Sequence, residues 1–174
     1  MSERIVYRLK DIKNQVHDQE FVRAINPNRE IYTVQQDDVH INKREIIRIP
    51  SYRIGDEFVK TLGYHAVFAV DMEVLSGTAH ILVQKDENLE AKIVQLIKLR
   101  VGNAYKIPRF YDYVIINPSM SNDILEIRRT VHGIGEVPSD TIRIKRGTVY
   151  YELINGSFAI NTNYGIIPQL EIHE

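Results

Sequence analysis

Apolar residues run almost without interruption from Lys60 to Gly77, in the segment KTLGYHAVFAVDMEVLSG. The run is long enough for two short strands, and it ends at a turn glycine. A stretch of this kind is typical of buried β-structure. We therefore expect it to lie at the centre of the fold.

The rest of the chain continues the β pattern after one early helix. The helix is predicted over Asp18–Ile25, with Asp18 as its N-cap and Asn26-Pro27 as its stop signal. A hairpin is predicted around Asn155-Gly156, which readily adopts the positive φ angles of a tight turn. Other predicted strands, separated by turn residues, cover residues 31–34, 44–49, 80–84, 92–100, 105–107, 113–116 and 124–131. Their regular spacing indicates a β-sandwich or barrel.

Length and composition limit the classes of function. With 174 residues, the chain suits a single domain over residues 1–174, with a core at about 31–160 and an N-terminal extension over 1–30. Twenty-two basic and 23 acidic residues leave a formal charge of -1, so we expect neither a nucleic-acid nor a membrane partner. The absence of cysteine excludes disulfides, thiol catalysis and thiolate zinc sites. Charges throughout the first 14 residues argue against a signal peptide, and a cytoplasmic location is the expectation.

A family resemblance begins at residues 55–66, GDEFVKTLGYHA. This segment resembles the G-x-E-F-x-x-T-x-G-H-x-H motif of the archaeal-type (cupin) phosphoglucose isomerases, and Gly55, Glu57, Phe58, Thr61 and Gly63 match it. Residues 75–77, 102–108, 141–147 and 155–156 resemble later motifs of that family in the same order. The resemblance implies a mainly β, single cupin or jelly-roll barrel, which agrees with the strand pattern.

The positions that hold the metal in that family differ here. The family uses three histidines and a glutamate, whereas the corresponding residues of this chain are Tyr64, Ala66, Val70 and Tyr113. One position is ambiguous, because counting forward from Gly63 gives Glu73 in place of Val70. Alternation along a strand does not allow residues 70 and 73 to share a face, and the Leu-x-Gly ending favours Val70 inside. We expect no bound metal and no cofactor.

Several residues remain as candidates for chemistry. Tyr64 and Tyr113 can donate hydrogen bonds or act as general acids, or their rings can simply fill the former metal site. The resemblance gives Thr61 and Gly63 a role near the substrate phosphate, although a strand threonine and a bend glycine explain them equally well. His132, predicted to lie before a loop at residues 133–135, and Glu73 complete the catalytic candidates.

Two neighbouring features are expected to be ordinary surface. His65 alternates with Tyr64 and Ala66 and should therefore face outward. The basic residues around the predicted loop can attract an anionic substrate but are expected to be mainly solvated; they are Arg128, Arg129, Arg143, Lys145 and Arg146.

Three functions stay open. The first is a metal-independent isomerase, epimerase or lyase that moves a proton on a small sugar- or sugar-phosphate-like molecule in the barrel. The second is a ligand-binding cupin without catalysis, and the third is a structural or interaction protein that kept only the barrel. The resemblance also implies a homodimer.

Overall fold

A computed structural model describes residues 2–37, 42–133 and 137–174 of the chain, which are mostly strands. The helical elements are α1 (Leu9–Ile12), a 3-10 turn (Lys13–Gln15), α2 (Gln19–Ala24) and α3 (Asp140–Lys145). The strands are β1 (Glu3–Arg8), β2 (Glu30–Asp37), β3 (Asn42–Ile49), β4 (Arg53–Ile54), β5 (Glu57–Phe58), β6 (Tyr64–His65), β7 (Val70–Ser76), β8 (Thr78–Glu87), β9 (Glu90–Arg100), β10 (Ala104–Ile107), β11 (Tyr111–Ile116), β12 (Leu125–His132), β13 (Val137–Pro138), β14 (Tyr150–Glu152), β15 (Phe158–Ile160) and β16 (Leu170–His173).

Two large sheets face each other. The first sheet has the order β1-β2-β3-β12-β7-β10, and the second has the order β13-β6-β11-β8-β9-β16. All neighbouring strands in these sheets are antiparallel except β16, which runs parallel to β9. Two packed antiparallel sheets of this kind are typical of the jelly-roll architecture.

Alternation along the strands builds the core between the sheets. In β7, Val70, Met72 and Val74 are buried, whereas the residues between them are partly exposed. Successive strand residues point to opposite faces, so every second residue of each inner strand enters the core. The outer face of the first sheet carries charged residues at the alternate positions, and it is exposed.

The second sheet is buried on both faces. A second apolar cluster on its outer side joins Leu82 and Leu96 to Ile142, Val149 and Tyr164 from the C-terminal part of the chain. Residues of α3 and of the segments after it therefore cover the outer face of this sheet. Strands β6 and β11 belong to this sheet, so their outward side chains meet protein as well as solvent.

Most of the predicted elements are confirmed. Helix α2 begins after Asp18, whose Oδ1 accepts a hydrogen bond from the Phe21 amide at 3.0 Å. The Asn155-Gly156 turn joins the antiparallel strands β14 and β15, and Gly156 has a φ of 85°. The sequence patterns did not predict β1, α3 or β16. Among the described helices, none has the length and apolar character needed to cross a bilayer.

Candidate functional site

Tyr64 and Tyr113 lie side by side inside the barrel, as their match to two of the family's ligand positions implies. They are paired across β6 and β11, and their ring centroids are 5.6 Å apart. Tyr64 is 2% exposed and Tyr113 is fully buried. The two phenols therefore occupy one interior region, between the two sheets.

A buried ion pair lies against these rings. Arg129 donates to Glu45 Oε2 through Nε at 2.7 Å and through Nη2 at 2.5 Å. Its guanidinium carbon lies 4.5 Å from the centroid of the Tyr64 ring, and Nη1 is 3.4 Å from Tyr113 Oη. Tyr32 completes the arrangement, because its hydroxyl is 2.7 Å from that of Tyr64. We call Tyr32, Glu45, Tyr64, Tyr113 and Arg129 the interior cluster.

The interior cluster is polar, and its two charged residues carry opposite charges. Arg129 and Glu45 are 1% and 2% exposed, so each buried charge is paired with an opposite charge away from water. Burial, followed by the neighbouring Tyr64, raises the pKa of Tyr32 well above its ordinary value. The Tyr32 hydroxyl consequently stays protonated and can donate a hydrogen bond at neutral pH.

These residues do not fit the metal site of the resembled family. Val70 is buried in the core, which settles the ambiguity between Val70 and Glu73. The four ligand positions thus provide two phenols and two apolar side chains, beside a guanidinium that repels a divalent cation. Over the described ranges 2–37, 42–133 and 137–174, no three His, Cys, Asp or Glu side chains are arranged to hold a metal ion.

Thr61 and Gly63 are engaged by the protein itself. Thr61 is buried, and its hydroxyl donates to the Leu62 carbonyl at 2.9 Å and accepts from the Ile115 amide at 3.1 Å. The Gly63 amide donates to Gln15 Oε1 at 2.8 Å, and a Cβ on Gly63 would lie 2.5 Å from Ile142. These contacts account for both residues structurally, and their role in substrate binding stays a prediction.

Glu73 and His132 lie away from the tyrosines, on the outer face of the first sheet. Glu73 forms an ion pair with Arg128 at 2.9 Å. His132 Nε2 is 2.9 Å from Asp71 Oδ2, and its Nδ1 is 3.0 Å from Asn42 Oδ1. Strand alternation places both residues on the face opposite the core, so the expectation that they share a site with Tyr64 and Tyr113 is corrected. Residues 134 and 135 of the predicted loop lie outside the described residues.

The sequence patterns did not predict the buried ion pair of the interior cluster. Arg129 was expected to be solvated with the other basic residues, yet it is buried. A signal existed, because Arg129 alternates with the apolar residues Ile127 and Val131 and therefore shares their inward face. Its partner Glu45 lies 84 residues earlier in the chain, and no local pattern connects the two.

The two packed antiparallel sheets give the chain a cupin fold. The tomato (Solanum lycopersicum) vicilin matches with a TM-score of 0.50 at 11% identity over 63% of this chain and 32% of that chain. An oxalate decarboxylase–formate complex from Lactobacillus farciminis gives 0.49 at 13% identity over 62% and 31%. The Schizosaccharomyces pombe Cnp3 cupin domain gives 0.42 at 12% identity over 66% and 69%. At sequence identities this low, the similarity shows the fold alone. This chain spans about a third of the length of the vicilin and decarboxylase chains.

The sequence identifies the family within that class. The profile of the family described as Glucose-6-phosphate isomerase (GPI) matches residues 2–169, and the chain belongs to this family. A comparison with curated protein sequences finds no significant match. The substrate, the expected homodimer and the cytoplasmic location stay predictions.

Proposed function

We propose that the chain is a metal-independent cupin enzyme that moves a proton on a small sugar- or sugar-phosphate-like molecule, as an isomerase, epimerase or lyase. The observation that carries this proposal is the guanidinium of Arg129, which lies against Tyr64 and Tyr113, at two of the family's ligand positions. In this proposal, the fixed cation stabilises the negative charge that develops on a substrate oxygen during enolisation.

Electrostatics support this substitution of a side-chain cation for a metal ion. A charge in a region of low dielectric acts strongly on a nearby oxyanion, because little water screens it. Arg129 is held in place by two contacts to Glu45, so its position does not depend on a ligand. Such preorganised charge is a large contribution to catalysis in many enzymes.

The other members of the cluster provide acid and base functions. Tyr64 and Tyr113 are the candidates for donating a hydrogen bond or a proton to the substrate oxygen. Glu45 is the carboxylate of the cluster and takes the role of proton acceptor through Oε1, while Oε2 keeps its contacts with Arg129. Glu73 and His132 have no part in this proposal, because they lie on the other face of the first sheet.

Exchange of substrate hydrogen for solvent deuterium tests the proposal. The protein is incubated in deuterated buffer with aldose and ketose sugars and their phosphates, and deuterium at the carbon next to the carbonyl is followed by NMR. We expect exchange that EDTA does not abolish. Glu45→Gln should lower the exchange rate about 100-fold or more, the size of a typical general-base contribution. Arg128→Gln, the control on the outer face, should leave it unchanged; exchange that is absent for all sugars contradicts the proposal.

A structural barrel without catalysis is the second candidate. It is favoured by the burial of the interior cluster, in which Arg129 and Glu45 are almost inaccessible to solvent and bind each other. Under this alternative, the cluster only stabilises the fold. No sugar should then exchange hydrogen, and mutations in the cluster should change the free energy of unfolding alone.

A further inference from the structure

His65 and Asp112 form a hydrogen-bonded pair on the outer side of the second sheet. The two residues are opposite each other on β6 and β11, and His65 Nδ1 is 2.5 Å from Asp112 Oδ1. The carboxylate is 4% exposed and the imidazole 36% exposed. A buried carboxylate on one ring nitrogen fixes the orientation of an imidazole, and Nε2 remains available for a ligand.

Asp112 is itself fixed by a wider polar network. Its second oxygen accepts a hydrogen bond from Ser139 Oγ at 2.6 Å, and this serine caps the start of α3. Asp86 lies beside it and accepts from Gln84 Nε2 at 2.8 Å. Burial, followed by the neighbouring Asp112, raises the pKa of Asp86 to about 9. The Asp86 carboxyl is therefore protonated at neutral pH and can donate a hydrogen bond.

His65, Asp86 and Asp112 line a cavity of about 220 Å³, which we call the outer pocket. Its apolar wall includes Phe110, which is 54% exposed although it is a large aromatic residue. Phe110 also has a φ of 71°, an unusual conformation for a bulky residue, and its amide donates to the Ala66 carbonyl at 2.6 Å. The backbone thus holds an aromatic ring at the edge of a polar cavity.

The chemistry of the lining restricts the ligand. Glu87 and Asp140 add acidic side chains, and none of the described residues that line the outer pocket is Lys or Arg. An anionic ligand such as a phosphate ester is therefore disfavoured by repulsion. A neutral compound with several hydroxyl groups fits, because hydroxyls donate to carboxylates and to an imidazole nitrogen. The C–H face of such a compound can pack on the Phe110 ring.

We propose that the outer pocket binds a small neutral polyhydroxylated compound of the unphosphorylated sugar class, with one hydroxyl on His65 Nε2 and an apolar face on Phe110. This site is separate from the interior cluster, since it lies on the opposite side of β6 and β11. It goes beyond the proposed enzymatic function and does not depend on it.

Ligand titrations, followed through the NMR signals of the His65 ring, test the proposal. The isotope-labelled protein is titrated with glucose, mannose and glycerol, and separately with glucose 6-phosphate. We expect at least one neutral compound to shift the His65 ring signals in a saturable manner, with glucose 6-phosphate binding more weakly than glucose. His65→Gln and Phe110→Gly should each weaken the binding about tenfold or more, as followed by calorimetry, which corresponds to about 1.4 kcal/mol. Glycine is chosen at position 110 because it tolerates the positive φ.

Arg128→Gln is the control, because it alters an exposed ion pair on the outer face of the other sheet. This variant should bind the neutral compound as the wild-type protein does, and the His65 ring signals report binding whether or not deuterium exchange is observed. Failure of the outer pocket proposal is thereby distinguished from failure of the proposed enzymatic function. The outer pocket proposal is overturned if none of the three neutral compounds shifts His65. It is also overturned if glucose 6-phosphate shifts the His65 signals at a lower concentration than glucose does, or if His65→Gln leaves binding unchanged while its spectrum shows a folded protein.

Discussion

Strands β6 and β11 build two chemically different regions from two residue pairs. Tyr64 and Tyr113 face the interior, whereas the next pair along the strands, His65 and Asp112, faces the outer pocket. Inside, neutral phenols surround a compensated and buried ion pair. Outside, an oriented imidazole lines a cavity that solvent reaches. Because successive side chains of a strand point to opposite faces, the register of this one strand pair decides which side chains are enclosed and which are accessible to solvent.

Consecutive arginines of β12 repeat this contrast. Arg128 forms its ion pair with Glu73 on the outer face, and its side chain is 45% exposed. Arg129 forms its ion pair with Glu45 in the interior, and its side chain is 2% exposed. The same type of contact therefore has different energetic consequences, because water screens only the first pair.

Replacing these arginines one at a time should give the largest difference in the free energy of unfolding. Arg129→Met leaves the Glu45 carboxylate buried without its partner, so we expect a loss of about 3–5 kcal/mol in the free energy of unfolding. Arg128→Met should cost about 0–1 kcal/mol, because the pair is exposed. Urea unfolding of both variants measures the difference.

The double variant Arg129→Met/Glu45→Met refines this comparison. Removal of both buried charges should recover much of the lost stability, because the Glu45 carboxylate is no longer left buried without the guanidinium. Equal losses for Arg128→Met and Arg129→Met would show that the interior pair is not buried as described.

The outer pocket should make stability depend on pH through Asp86. Its pKa is about 9 in the folded protein against 3.8 as the ordinary value, so the folded state retains a proton that the unfolded state releases between these values. The free energy of unfolding should therefore fall as pH rises from about 4 to about 9, because the folded state binds more protons there. Asp86→Asn, which cannot ionise, should give a flatter profile. If urea unfolding showed the same pH dependence of the free energy of unfolding for both proteins, the raised pKa assigned to Asp86 would be contradicted.

Removal of a single interior hydroxyl is expected to cost less stability than removal of the Arg129 charge. Tyr64→Phe removes the 2.7 Å hydrogen bond to Tyr32, and we expect a cost of about 0.5–1.5 kcal/mol. Tyr7→Phe is the control, because that ring stacks on Tyr32 while its hydroxyl makes no hydrogen bond to any described residue. Thermal unfolding of both variants should separate them; a larger loss for Tyr7→Phe would argue against the Tyr32–Tyr64 contact.

Much of the fold follows from local patterns in the sequence. The family resemblance, combined with strand alternation, predicted that Tyr64, Val70 and Tyr113 face inward and that His65 faces outward. Strand β1 was missed because Arg4 and Arg8 give it a charged appearance, although Ile5 and Tyr7 pack against the core. Helix α3 carries a capping signal at Ser139, but its short length gave no helical periodicity to detect.

The candidate sites depend on contacts between distant residues. The interior pair joins Arg129 to Glu45, and the outer pocket joins His65 to Asp112 across 47 positions. Local periodicity predicts the face on which a side chain lies but not the residue it meets there. A charged residue at an inward position, such as Arg129, indicates that a buried partner must exist without identifying it.

Metal content measured together with unfolding tests most directly the claim that the Arg129 cation takes the place of a metal ion. The protein is purified without chelator and analysed for iron, manganese and zinc, and its melting temperature is compared with and without EDTA. We expect far less than one metal ion per chain and an unchanged melting temperature, because two phenols beside a guanidinium cannot supply the three or more ligands of a catalytic metal site. One equivalent of metal that EDTA removes with a fall in melting temperature would contradict the account.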